Sequence, residues 1–163
     1  LTKSLIRGID LSKGKYIARQ DADDTSHGQR LEKQLFFVPD YDFVCCRTRV
    51  NGKKVSPKWI TTKFYRQLFF YKNTFIHGTF FFKRSLYHNV GGYNPDVQYA
   101  QDYDLMQRVL HVKGVKIKYF TDVLYFSHKD QDCISMDKQK EQAECFVLAK
   151  KTKFSLKETK RWK

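Results

Sequence analysis

The chain has 163 residues, of which 41% are hydrophobic and 29% are charged, and it carries a formal net charge of +14. Charged and apolar residues are interleaved and the length allows a sizeable core, so the composition excludes a disordered chain. No apolar run reaches the roughly 20 residues of a membrane-spanning helix, and the start does not resemble a signal peptide. We therefore predict one folded domain, soluble and cytoplasmic.

Basic residues are concentrated in two segments. Ten Lys and Arg residues and no acidic residue lie between Asp42 and Asp96, and positions 150–163 hold seven basic residues opposed only by Glu158. Such a surface attracts polyanions, which include phosphorylated small molecules, nucleic acid and anionic lipid. Charge alone does not distinguish among these partners.

The four cysteines indicate reduced thiols and no metal centre. Cys45 and Cys46 are adjacent in a predicted strand and therefore point to opposite faces, while Cys133 and Cys145 lie far along the chain. No CxxC or Cys/His spacing is present, so we expect no zinc site.

The first elements in chain order are a helix and a strand. Apolar residues recur at helical spacing over 1–9, and Gly14 is expected to end this helix in the left-handed conformation. Residues 15–20 are predicted as a short strand. Ligands of α/β proteins usually bind beyond the carboxyl end of such a strand.

A second helix and a hairpin follow. Residues 30–38 are predicted as a helix, with Leu31 and Leu35 one turn apart. Phe43–Val50 is a β-rich run, and Asn51-Gly52 is a strong hairpin-turn signal leading into another short strand.

The middle of the chain is aromatic. Residues 59–71 are predicted as a helix, and Ile76–Lys83 as a buried strand because three consecutive phenylalanines need cover on both faces. Gly91-Gly92 marks a tight loop after a short helical turn. Tyr99–Val112 has the clearest helical pattern, which Gly114 ends.

Two short strands and a polar helix complete the pattern. Val115–Phe120 and Val123–Phe126 alternate like strands, and Asp137–Lys151 is predicted as a helix. We divide the chain into a main domain, 1–135, and a basic C-terminal helix and tail, 136–163.

The acidic stretch Asp21-Ala22-Asp23-Asp24 directly follows the first predicted strand. Three carboxylates this close repel one another unless a cation lies between them, and a hard divalent metal prefers oxygen ligands. Aspartate is also common in solvated turns, which is the alternative interpretation.

With these segments in place, the chain resembles the family 2 glycosyltransferases, which have the GT-A fold. The motifs occur in the family's order and extend to about Ser135. The matching segments are Ser4–Ile9 with Lys13–Arg19, Asp21–Asp24 with Arg30–Gln34, His77–Thr79 with Phe82–Arg84, Val90–Asn94, and Ala100–Leu105 with Arg108.

The resemblance implies an α/β, GT-A-like (Rossmann-like) mixed sheet flanked by helices. The family's strands that bind the nucleotide base precede the matched region and are not recognisable here. Because the chain also begins with Leu1 and not Met, we expect an N-terminally truncated domain with an exposed sheet edge. Upstream residues or another chain would complete the fold.

The resemblance also implies a donor site with a bound Mn²⁺ or Mg²⁺ ion. Asp23 is the expected main metal ligand, Asp21 contacts the metal or the donor ribose, and His128 is a further candidate ligand. Asp24 either joins the site or structures the turn. His77, Gly91 and Gly92 are candidate donor-binding residues. Packing within a strand would explain His77 equally well, and the steric needs of a loop would explain the two glycines.

The catalytic base implied by the resemblance is Asp102. It lies near the start of a predicted helix, where the dipole favours an ionised carboxylate, although aspartate there is often only a cap. The family usually has an acidic residue before this position, where this chain has Gln101. Arg108 is expected to pair with a neighbouring aspartate in preference to binding phosphate.

The implied reaction is metal-dependent, inverting transfer of a sugar from a nucleotide-diphosphate sugar to a glycan or lipid-linked acceptor, in surface polysaccharide or lipopolysaccharide synthesis. The segment between Asp42 and Asp96 is rich in basic and aromatic residues. We therefore also expect peripheral contact with an anionic inner membrane face. A catalytically inactive remnant acting as an interaction module is the main alternative. A nucleic-acid binder is less favoured, because no recognised binding signature is present.

Overall fold

The structure is a computed structural model. It describes residues 1–57 and 73–128 together with Phe69 and Glu144. The chain forms two compact units. The first contains Leu1–Lys15 and Arg84–Lys113, and the second contains the described residues of Tyr16–Lys83 and Gly114–Asp130. The helices predicted at 59–71 and 137–151, and the division after residue 135, lie outside the described residues.

The described chain contains both helices and strands. In order they are α1 (Thr2–Leu11), β1 (Tyr16–Ala18), β2 (Thr25–Ser26), α2 (Arg30–Phe37), β3 (Phe43–Val50), β4 (Lys54–Ser56), a 3-10 turn (His77–Thr79), β5 (Phe81–Lys83), α3 (Arg84–Asn89), α4 (Gln101–His111) and β6 (Ile117–Ser127). None of these helices is both long and apolar enough to cross a bilayer.

The second unit is built on a mixed sheet with the strand order β1-β5-β3-β6-β2, in which β4 pairs with β3. The pairing of β3 with β6 is parallel and the other pairings are antiparallel. Phe43, at the start of β3, is completely buried and stacks on Phe82 of β5 at 5.2 Å. Since β3 pairs with three other strands, it forms the centre of the sheet.

The strand Phe43–Val50 has the bounds that the sequence predicts. The hairpin signal is also confirmed: Asn51 and Gly52 have φ values of 47° and 69°, which the tight turn requires. The adjacent Cys45 and Cys46 are buried free thiols, as expected.

The end of α1 and the start of β5 differ from the prediction. The helix α1 ends at Leu11, and the N–H of the following Ser12 donates to the carbonyls of Gly8 and Ile9, so Gly14 is not the terminating residue. The strand predicted from Ile76 begins at Phe81, because Thr79 turns back with its N–H and hydroxyl both donating to the Ile76 carbonyl, at 2.9 and 2.7 Å.

The two predicted strands at 115–120 and 123–126 form the single strand β6. Its pairing with β3 advances from Cys45 opposite Tyr119 to Arg47 opposite Val123, so β6 carries extra residues at this point. This irregularity interrupts the alternation of side chains, which explains why the pattern suggests two strands.

The first unit contains α1, α3 and α4. Arg84, the first residue of α3, donates hydrogen bonds to the carbonyls of Ile9, Ser12 and Gly14 at 2.7–2.9 Å. These acceptors lie at and just beyond the carboxyl end of α1, where helix carbonyls have no partner within the helix. The Arg84 side chain therefore caps α1.

A candidate donor and metal site

The predicted metal motif forms a compact turn at the carboxyl end of β1. We call residues 20–24 the carboxylate loop. The N–H of Asp24 donates to the Asp21 carbonyl at 3.3 Å, and the Gln20 side-chain amide donates to the carbonyls of Asp24 and Asp21 at 2.7 and 3.2 Å. The loop is thus closed by its own hydrogen bonds.

The three carboxylates of the loop have different environments. Asp21 forms an ion pair with Arg19 at 2.5 Å, and the Asp24 carboxylate accepts a hydrogen bond from the backbone N–H of His128 at 2.9 Å. Asp23 is exposed, and its carboxylate makes no hydrogen bond or ion pair with any described residue. Asp23 is therefore the carboxylate available to an external cation.

The loop fits a hard divalent cation that is bound mainly through a substrate. In the described part of the chain, no three His, Cys, Asp or Glu side chains are placed to share one metal ion. Mg²⁺ usually binds proteins through one or two carboxylates and fills its remaining positions with substrate phosphates and water. One open carboxylate beside two anchored ones provides such an oxygen donor set.

Arg30 supports the loop from the start of α2, although its side chain is only 2% exposed. Its guanidinium lies 4.9 Å from the ring centroid of Tyr125, and burial lowers its pKa from the ordinary value. Its hydrogen-bond acceptors are the carbonyls of Arg19 (2.7 Å) and Gly78 (2.8 Å), Ser26 Oγ (2.9 Å), Gln20 Oε1 (3.0 Å) and Gln34 Oε1 (3.1 Å).

The apolar spacing of α2 does not mark its buried side. Leu31 and Leu35, which mark the helix in the sequence, are 52% and 50% exposed, whereas Gln34 is fully buried. Arg30, Gln34 and Val38 share the same four-residue spacing and form the inward face. The structural role of Arg30 is therefore missed by sequence reasoning, because apolar periodicity assigns the neighbouring pair to the core.

Tyr125 of β6 contacts the loop directly. Its hydroxyl oxygen accepts a hydrogen bond from the backbone N–H of Asp21 at 3.0 Å and lies 3.4 Å from the Asp21 carboxylate. Burial raises the pKa of Tyr125 well above its usual range, with the charges of Asp21 and Asp24 acting in the same direction. The hydroxyl therefore remains protonated and able to donate.

His77 belongs to the 3-10 turn and not to a strand. Its ring lies edge-on to Phe80, with 5.2 Å between centroids, and burial lowers its pKa to about 3. The imidazole is therefore neutral at physiological pH. His77 cannot supply positive charge to a diphosphate, although a neutral ring can still donate or accept one hydrogen bond.

The first unit holds Asp102, the predicted base. It is the second residue of α4 and is partly buried. Ala100 occupies the N-cap position with a φ of 57°, so Asp102 is not the capping residue. Its place in the first turn still favours the ionised carboxylate through the helix dipole. Gln101, where the family usually has an acid, is buried.

The two loop glycines have different surroundings. Gly92 is buried with a φ of 70°, and a Cβ atom there would lie 2.8 Å from the Tyr87 ring, whereas a Cβ at Gly91 would meet nothing within 4 Å. The Gly92 carbonyl also accepts a hydrogen bond from Arg108 at 2.5 Å. Packing therefore accounts for Gly92, and Gly91 is the more accessible of the two.

The expected structural pair of Arg108 is confirmed. Its guanidinium forms an ion pair with Asp104 at 2.5 Å, and it also donates to the Val90 and Gly92 carbonyls. Arg108 thereby fixes the glycine loop to α4 within the first unit.

The predicted site residues are divided between the two units. Direct contacts join Asp21 to Tyr125 and Asp24 to His128, so the loop and the end of β6 form one group in the second unit. His77 also belongs to the second unit. The first unit contains Gly91, Gly92 and Asp102.

The second unit has an α/β architecture, in which a mixed sheet carries carboxylates beyond the end of a strand. The described fold is similar to crystal structures of TarS from S. aureus. One has a TM-score of 0.64, 10% identity and coverage of 98% of this chain and 29% of TarS. A structure of TarS 1–349 in complex with UDP-GlcNAc has a TM-score of 0.64, 13% identity and coverage of 96% and 48%. The predicted GT-A-like fold is confirmed.

The family follows from the sequence itself. The signature described as Glycosyl transferase family 2 matches residues 1–95, which is more than half of the chain. The chain therefore belongs to glycosyl transferase family 2, as its motifs predict.

Two curated relatives share parts of the chain. The O-antigen biosynthesis glycosyltransferase WbnJ of Escherichia coli is 32% identical over 109 residues, which cover 62% of this chain and 42% of WbnJ. EpsE of Bacillus subtilis (strain 168) is 29% identical over 143 residues, which cover 81% of this chain and 50% of EpsE. The chain thus matches half or less of the length of these relatives.

Proposed function

We propose that the chain forms part of a metal-dependent inverting glycosyltransferase, which transfers a sugar from a nucleotide-diphosphate sugar to an acceptor hydroxyl. The observation that carries the proposal is the exposed carboxylate of Asp23 between the anchored Asp21 and Asp24. Membership of family 2 makes a donor diphosphate the most suitable partner for a cation at this position.

The carboxylate loop would hold Mn²⁺ or Mg²⁺ through Asp23. Asp21 and Asp24 add negative charge, and His128 offers an exposed imidazole at the end of β6. A bound divalent ion neutralises the charge that develops on the departing diphosphate. The contacts of Asp21 and Asp24 fix the two ends of the carboxylate loop. The loop thereby orients its own negative charge.

Asp102 is proposed as the general base. Its carboxylate would take the proton of the acceptor hydroxyl as that oxygen forms a bond to the anomeric carbon. The bond between this carbon and the diphosphate oxygen breaks in the same step, and the nucleoside diphosphate leaves with the electron pair. A single displacement inverts the configuration at the anomeric carbon.

The names of similar proteins suggest the biological setting. WbnJ is named for O-antigen biosynthesis, and TarS was crystallised with UDP-GlcNAc. We infer a nucleotide-sugar donor and a glycan or lipid-linked acceptor in surface polysaccharide synthesis at the cytoplasmic membrane face. The exposed residues Arg49, Lys53 and Lys54 of the segment between Asp42 and Asp96 support contact with anionic lipid. Flotation with anionic but not with zwitterionic vesicles is the expected result.

A transfer assay with a panel of nucleotide sugars and Mn²⁺ tests the proposal. The full-length protein would be compared with Asp23→Asn and Asp102→Asn, and with Asp122→Asn as a control. Asp122 is a partly exposed carboxylate whose partner is the surface residue Lys33. We expect Asp102→Asn to reduce the rate at least 100-fold and EDTA to abolish it.

The outcomes separate the proposed functions. Equal rates for wild type and Asp102→Asn would exclude Asp102 as the base. Equal rates with and without EDTA would exclude the metal. The absence of turnover with every donor would favour the inactive interaction module, for which Gln101 is the supporting feature.

A further inference from the structure

We propose that Tyr125 is a positioning residue of the donor site, whose hydroxyl holds the carboxylate loop in the form that presents Asp23. The proposal rests on the proposed metal-binding function of the loop. The contacts that hold the loop cross the sheet and are described by no sequence motif.

The loop is attached at two points, to Tyr125 of β6 and to His128, which directly follows β6. The Tyr125 hydroxyl accepts from the Asp21 N–H at 3.0 Å, and the Asp24 carboxylate accepts from the His128 N–H at 2.9 Å. Asp23 lies between these two attachments and is exposed. The attachments therefore restrict the backbone on both sides of the one open carboxylate.

The Tyr125 hydroxyl bridges two groups of the same residue. It accepts from the main chain of Asp21 and can donate to the Asp21 carboxylate at 3.4 Å. The second oxygen of that carboxylate is paired with Arg19. The phenol thus fixes the backbone at the start of the loop and lies close to the Asp21 carboxylate.

The position of the Tyr125 ring is itself determined by neighbouring residues. The Arg30 guanidinium lies 4.9 Å from its centroid, and Arg30 also donates to the carbonyls of Arg19 and Gly78. A Cβ atom at Gly78 would lie 2.1 Å from the Tyr125 hydroxyl oxygen. Only glycine at position 78 leaves space for the hydroxyl to reach Asp21.

The substitution Tyr125→Phe removes this hydroxyl and keeps the ring. Tyr119→Phe is the matched control, because Tyr119 lies buried on the same strand and its hydroxyl has no hydrogen-bond partner among the described residues. Two quantities would be measured in the full-length protein. One is the affinity for Mn²⁺, from the loss of the free-ion electron paramagnetic resonance signal, and the other is amide hydrogen exchange at Asp21.

We expect Tyr125→Phe to weaken Mn²⁺ binding about five- to tenfold and to accelerate Asp21 amide exchange by a similar factor, which corresponds to one lost hydrogen bond. Tyr119→Phe should change neither quantity. If the protein is active, the rate of Tyr125→Phe should recover at high Mn²⁺, which a general loss of fold would not allow.

The two measurements separate the possible failures. Wild-type Mn²⁺ affinity in Tyr125→Phe overturns the positioning role, whatever the exchange result. If the wild-type protein binds no Mn²⁺, the proposed metal function fails, and Asp21 exchange alone then decides whether Tyr125 holds the loop. Unchanged exchange in that case overturns the proposal as well.

Discussion

Acid should destabilise the protein through His77. Burial lowers the pKa of this imidazole in the folded protein to about 3, from an ordinary value of 6.5. As the pH falls below 6.5 the unfolded chain binds a proton that the folded protein does not, so stability decreases from there down to about pH 3. At pH 4.5 this position is about 99% protonated in the unfolded chain and about 3% in the folded protein. The contribution of His77 therefore lowers the free energy of unfolding by about 2–3 kcal/mol relative to pH 7.5.

Urea denaturation at pH 7.5 and pH 4.5 would measure this loss in wild type and in His77→Gln. The variant has no titrating group at position 77, so its loss between the two pH values should be smaller by about 2–3 kcal/mol. His88→Gln, the same substitution at an exposed histidine, is the control. Parallel losses in wild type and His77→Gln would refute the argument, because they would show that His77 titrates alike in both states.

Three further predictions concern stability, and each can be checked by equilibrium denaturation. Arg30→Lys should lower the free energy of unfolding by at least about 2 kcal/mol, because buried carbonyls lose their donors. A loss below about 0.5 kcal/mol would contradict a stabilising role for the Arg30 hydrogen bonds. Gly92→Ala should cost more than Gly91→Ala, since both have positive φ but only the former meets a side chain; equal costs would argue against the contact. Removing the surface pair Lys33–Asp122, whose side chains are 41% and 44% exposed, should cost less than about 0.5 kcal/mol, and a larger coupling in a double-mutant cycle would be unexpected.

Local patterns predict the elements of this fold where residue type and backbone geometry agree. The strand Phe43–Val50 and the turn at Asn51-Gly52 follow from β-branched residues and from a dipeptide suited to positive φ. The 3-10 turn at His77–Thr79 is not predicted, because the hydrogen bond from the Thr79 hydroxyl to the Ile76 carbonyl produces no distinct periodicity in the sequence.

The buried face of α2 shows a second limit. Leu31 with Leu35 and Arg30 with Gln34 have the same spacing, so periodicity predicts the helix but not which pair faces inward. The choice is made by distant carbonyl groups such as that of Gly78, which the guanidinium reaches and a leucine could not satisfy. Such partners are known only once the chain has folded.

The candidate site was predicted in part. The grouping of Asp21, Asp23 and Asp24 follows from their positions in the sequence, and so does their place at the end of a strand. Which carboxylate is open depends on Tyr125 and His128, about a hundred residues away. The metal-binding and catalytic roles of these residues remain predictions for the assays described above.

The close approach of Tyr125 to Gly78 restricts how this sequence can change. With 2.1 Å between the hydroxyl oxygen and the place of a Cβ atom, any larger residue at position 78 would force the Tyr125 side chain to move. The two positions are therefore expected to vary together among relatives: proteins that keep the tyrosine should keep the glycine, and those with a side chain at 78 should carry a smaller residue at 125. Engineered variants of this fold should change the two positions as a pair.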